Sequence, residues 1–96
     1  MNPYYFIIEA EPQHGNPIGA HVSRAIVHVW LLSTGIEEAR AKALSFLAAD
    51  LWEVLEEKEA SVLTAEQIDS LGDDDVLSYQ AAKSEGIYAT FNYWHK

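Results

Sequence analysis

Ala20–Leu32, AHVSRAIVHVWLL, contains no Gly, no Pro and no acidic residue, and its apolar positions recur with period two. On a strand, Ala25, Val27, Val29 and Leu31 fall on one face. Val22, Arg24, Ile26, His28, Trp30 and Leu32 fall on the other. A helical reading also exists, with Val22, Ala25, Ile26 and Val29 at i, i+3, i+4 and i+7. The β-branched and aromatic content favours the strand, because such side chains fit a pleated, half-buried surface. At about 3.3 Å per residue the stretch would span about 43 Å, long for a small domain, so a bend or bulge is expected.

The same alternation marks Asn2–Ala10, with Tyr4, Phe6, Ile8 and Ala10 on one side and Tyr5, Ile7 and Glu9 on the other. It recurs in Ile87–Trp94, where Ile87, Ala89, Phe91 and Tyr93 oppose Tyr88, Thr90, Asn92 and Trp94. Between the first two strands, EPQHGNPIG (Glu11–Gly19) is dense in turn formers and predicts a long loop joining an antiparallel pair. The period changes to helical after Leu32. Ile36, Ala39, Ala43, Phe46 and Leu47 form an apolar stripe to about Ala49, Thr34 and Glu37 have capping-box spacing, and Glu38 and Lys42 form an i, i+4 pair.

Asp50–Ala60, DLWEVLEEKEA, satisfies both periods. A strand is expected, because a continuous helix would run to about 25 residues and the other strands need company. Trp52 and Val54 then share a side, and the glutamates suit a protected edge. A second capping box, Thr64 and Gln67, opens a short helix that Gly72 is expected to end. Asp73 or Asp74 is expected to cap a third helix, which Gly86 closes.

The order β-β-α-β-α-α-β predicts one α+β domain over residues 1–96: a two-layer sandwich, with a mixed sheet of about four strands and the helices on one face. This order resembles that of several small uncharacterised bacterial α+β families along the whole chain. The resemblance is one of topology and carries no functional residue with it.

Charge narrows the function classes. The formal net charge is −9, which argues against nucleic acid as a partner. Ten of the fifteen acids lie between Asp50 and Asp75, with Lys58 the only base there, so an electronegative patch that steers a basic protein is one expectation. No apolar run is long enough to span a membrane, the N-terminus lacks a secretory pattern, and there is no cysteine; a cytoplasmic protein is expected.

Catalytic and cofactor signatures are missing. His21 and His28 stand an odd seven residues apart and point to opposite faces of one strand, so no metal is expected. DSLGDDD (Asp69–Asp75) lacks the spacing of a calcium loop and reads as helix capping. No nucleophile elbow or phosphate loop occurs, so no cofactor is expected and the balance leans away from an enzyme.

The second sheet face is the unusual feature. It gathers Tyr5, Arg24, His28, Trp30, Tyr88, Asn92 and Trp94, too aromatic for a solvated face and too polar for an ordinary core. With the helices all on the other face, a second subunit is the simplest cover. The leading expectation is therefore a non-enzymatic interaction module, a homodimer formed through this face or an edge strand, in which Trp30→Glu would leave a folded monomer. The alternatives are an immunity-type inhibitor of a basic toxin and a small-molecule binder or enzyme with a pocket around His28 and Trp30.

Overall fold

The expected order of elements is the observed one: β1 (Asn2–Pro12), β2 (Val22–Ser33), α1 (Ile36–Ala49), β3 (Trp52–Val62), α2 (Ala65–Asp69), α3 (Asp73–Glu85) and β4 (Ile87–His95). These come from a computed structural model that describes residues 1–96. The strands form one sheet in the order β3-β1-β2-β4. All three ladders are antiparallel, so the sheet is not mixed. The expected irregularity of β2 lies at its start, where pairing with β4 shifts between Val22 and Arg24.

One face builds the main core. Phe6, Ile8 and Ala10 of β1 and Ala25, Val27, Val29 and Leu31 of β2 meet Ala39, Ala43 and Leu47 of α1, and all are buried. The period-two and helical patterns of the sequence meet here, with two alanines letting the helix approach the sheet. Ala10 and Ala25 leave room for Trp52, which belongs to β3 yet reaches across to β4. Its ring lies 5.4 Å from that of Phe91 and 6.1 Å from that of Tyr93. One indole thus links the two edge strands.

Local signals fare unevenly. The Thr64–Gln67 capping box forms with both of its hydrogen bonds. The Thr34–Glu37 box does not: Gly35 is the N-cap of α1, and the Thr34 hydroxyl donates to Glu38 instead. Gly72 is extended and caps the start of α3 rather than ending α2. Three consecutive aspartates follow it in the first turn, where they complement the helix dipole.

The β1–β2 loop is tied down. Asn16, 8% exposed, donates through Nδ2 to the Leu51 carbonyl at 2.9 Å, and Gln13 N–H donates to the same oxygen at 2.8 Å. Leu51 is the one non-glycine residue in the left-handed region (φ 61°), and it turns the chain from α1 into β3. The loop clamps that turn.

α3 corrects the expectation that the helices share one face. Trp30 points away from the α1 core, yet it is 3% exposed within the single chain. The buried residues of α3, Ser78 and Ala82, also lie outside the α1 cluster, and α3 packs on β2 and β4. Asp75 of α3 acts electrostatically on Tyr5, the residue opposite Trp30 on β1. These observations place α3 over the Tyr5–Trp30 part of the second face. Helices cover both sides of the sheet.

Candidate functional site

α3 covers only one end of the second face. Directly opposed residues in an antiparallel sheet share a side, so the ladders divide this face into rows. Ser61, Tyr5, Trp30 and Tyr88 form the row nearest α3. Below it come Glu59, Ile7, His28 and Thr90, then Glu56, Glu9, Ile26 and Asn92. Glu53 and Glu11 on one side and Arg24 and Trp94 on the other complete it. Every residue of these lower rows is at least partly accessible, and Trp94 is 50% exposed.

Two bulges in β3 build the acidic side. Pairing shifts between Ile7 and Ile8 and again between Glu9 and Ala10, leaving Lys58 and Leu55 as extra residues. Glu53, Glu56 and Glu59 stand three apart, a spacing that strict alternation would divide between two faces. Each bulge restores the parity and puts all three on the second face. Glu57 goes to the other side, where Arg40 of α1 holds it at 2.8 Å. Glu9 receives Arg24 at 2.8 Å and Lys58 at 3.4 Å, and Lys58 also meets Glu56 at 2.9 Å. The neighbouring glutamates hold the Lys58 ammonium above its ordinary pKa. Glu11, Glu53 and Glu59 have no ion-pair partner within 4 Å.

Tyr5 and His28 join the covered and open rows. The phenol and Nδ1 of His28 share a hydrogen bond, and the Tyr5 ring lies 4.4 Å from that of Trp30. Burial pushes the Tyr5 hydroxyl up to about 12, with the charges of Asp75 and Glu59 adding to the effect. It stays protonated at neutral pH. The raised phenol contributes stability that is complete below the ordinary value of 10.0 and is lost as pH rises towards about 12. An alkaline titration of phenolate absorbance should include a late transition near pH 12 that Tyr5→Phe removes. A late transition that survives Tyr5→Phe would refute the assignment.

The residues singled out from the sequence therefore separate. Arg24, Asn92 and Trp94 are exposed and His28 is half-buried in the open rows. Tyr5 is half-buried, Tyr88 is 36% exposed, and both lie in the row nearest α3. Trp30 is covered by its own chain and offers nothing to a second copy. No cavity surrounds His28 and Trp30. The main concavity, about 630 Å³, lies instead between α1 and the start of β4, lined by Leu32, Phe46, Ile87 and the stems around them. No three His, Asp or Glu side chains converge to hold a metal ion, and no helix is long and apolar enough to cross a membrane. Comparison with protein-family models, with curated proteins and with solved structures found no match.

Proposed function

We propose that this protein is a non-enzymatic interaction module that docks a basic protein on the open rows of its second sheet face. The observation that carries this reading is the composition of those rows. Ile7 and Ile26, with the half-exposed Trp94 at the β4 end, supply apolar contact area, and Glu9, Glu11, Glu53, Glu56 and Glu59 line the β1–β3 side with five carboxylates against two cations. Aromatic and aliphatic anchors beside a like-charged rim are the composition of a steered protein interface. Face-to-face self-association is the poorer use of this surface, since it would bring two acidic rims together and Trp30 needs no second subunit to cover it. An immunity-type inhibitor of a cationic toxin domain is the form of this reading that the acidity and small size fit.

The test is binding to cationic domains encoded beside the chain's own gene. A triple charge reversal, Glu53→Lys, Glu56→Lys and Glu59→Lys, is expected to slow association at least tenfold at low salt. High salt should bring the wild type down towards the variant. Equal association rates for the two proteins at low salt, or no binding by the wild type, would overturn the proposal.

A further inference from the structure

The two edges of the sheet are unlike. β3 exposes an edge with two bulges, four glutamates between Glu53 and Glu59, and Lys58. Charges and bulges are what keep an edge from pairing with another chain. β4 has neither device on its outer side. Its sequence, IYATFNYWH, contains no Asp, Glu, Lys, Arg, Pro or Gly, on a chain whose net charge is −9. Its one register irregularity lies in β2, at the far end of the ladder.

The backbone of β4 fixes which groups are free. Leu32 N–H donates to the Gly86 carbonyl, so Leu32 and Gly86 are directly opposed in a hydrogen-bonded pair. Alternation then turns the N–H and C=O groups of Tyr88, Thr90 and Asn92 towards β2. Those of Ile87, Ala89, Phe91 and Tyr93 turn outwards, and no backbone hydrogen bond outside the ladders involves them. Four consecutive outward positions form an unpaired template of a strand's ordinary length.

We propose that this edge pairs with the same edge of a second copy, antiparallel about a two-fold axis at Phe91, to give a continuous eight-stranded sheet. The register follows from overlapping the whole of Ile87–His95 with itself. Phe91 then meets the partner's Phe91, and Ala89 meets the partner's Tyr93. On the other face Tyr88 meets the partner's Trp94, and Thr90 meets the partner's Asn92. These are aromatic–aromatic, small–large and hydroxyl–amide pairs, with no like charges opposed. Tyr93 and Trp94, 43% and 50% exposed in the single chain, are the side chains such pairing would cover. An acidic chain has few places where two copies can meet without repulsion, and this uncharged strip is one. The inference does not rest on the basic-partner reading, whose five glutamates lie on β1 and β3, and Trp94 is the one residue the two share.

Ala89→Pro tests it with little disturbance to the fold, because the lost N–H is one that points outwards and an edge strand tolerates proline there. Tyr93→Lys places a cation on each side of the axis. Sedimentation of the wild type should give twice the 10.8 kDa chain mass. Each variant should raise the dissociation constant by about 30-fold or more, since the two-fold axis counts every loss twice. Circular dichroism should stay close to wild type for both. Amide exchange of the wild-type protein supplies a readout that needs no variant. The amides of Ala89, Phe91 and Tyr93 should gain protection as concentration rises, while those of Thr90 and Asn92 stay protected throughout. A monomeric wild type, a dimer indifferent to both variants, or outward amides whose exchange ignores concentration would each overturn the proposal.

Discussion

Trp30→Ala should cost about 3–5 kcal/mol of stability, the range for deleting a buried aromatic side chain. A domain of this size is held by about 5–15 kcal/mol, so the variant loses a large part of the total. The indole is 3% exposed, set against the tilted Tyr5 ring at 4.4 Å and roofed by α3. Ser78 and Ala82, one helical turn apart, are the small residues that α3 buries. Trp30→Glu should be worse, because a carboxylate there has neither water nor an ion-pair partner. Urea unfolding followed by circular dichroism checks both. A Trp30→Glu protein that keeps its wild-type midpoint would mean that α3 does not cover this face.

Trp52→Ala should carry a penalty of the same size, about 3–5 kcal/mol, for a different reason. Trp52 is also 3% exposed, but it lies on the α1 side and joins the two edges of the sheet across Ala10 and Ala25. Removing it leaves Phe91 and Tyr93 without the ring they stack on, so β4 should loosen along with β3. Amide exchange in β4 would rise even though the substitution is in β3. Exchange that changed in β3 alone would show that the stack contributes little. The two tryptophans lie on opposite faces with no shared partner, so their costs should add.

These two residues also mark what the sequence discloses. The parity of β2 places Val27 and Val29 against α1 and Trp30 on the other side, as the structure has it. It says nothing of what lies over Trp30. α3, DDDVLSYQAAKSE, has no apolar stripe: it leaves Leu77 65% exposed and buries a serine and an alanine. Small residues contribute close approach and little hydrophobic signal, so the helix reads as surface while it acts as a roof. The ambiguity of Asp50–Ala60 has a similar origin. Leu51 ends α1 in a conformation usually marked by glycine, held there by Asn16 and Gln13 from a loop distant in sequence. The open site was half legible. His28, Asn92 and Trp94 follow from alternation, whereas Glu53, Glu56 and Glu59 share their face only through two bulges that no local pattern announces.

The sheet order bears on how the molecule assembles. β1 and β2, adjacent in the chain and joined by the clamped loop, form the middle of the sheet, so its centre is a local hairpin. Tyr4 pairs with Leu31 on one side and with Val62, much farther along the chain, on the other. Both edges must therefore wait for long chain closures that the hairpin does not need. The edge strands are the last to dock and the first to leave, so the contact surfaces proposed above would sit on the most labile cooperative units of the fold.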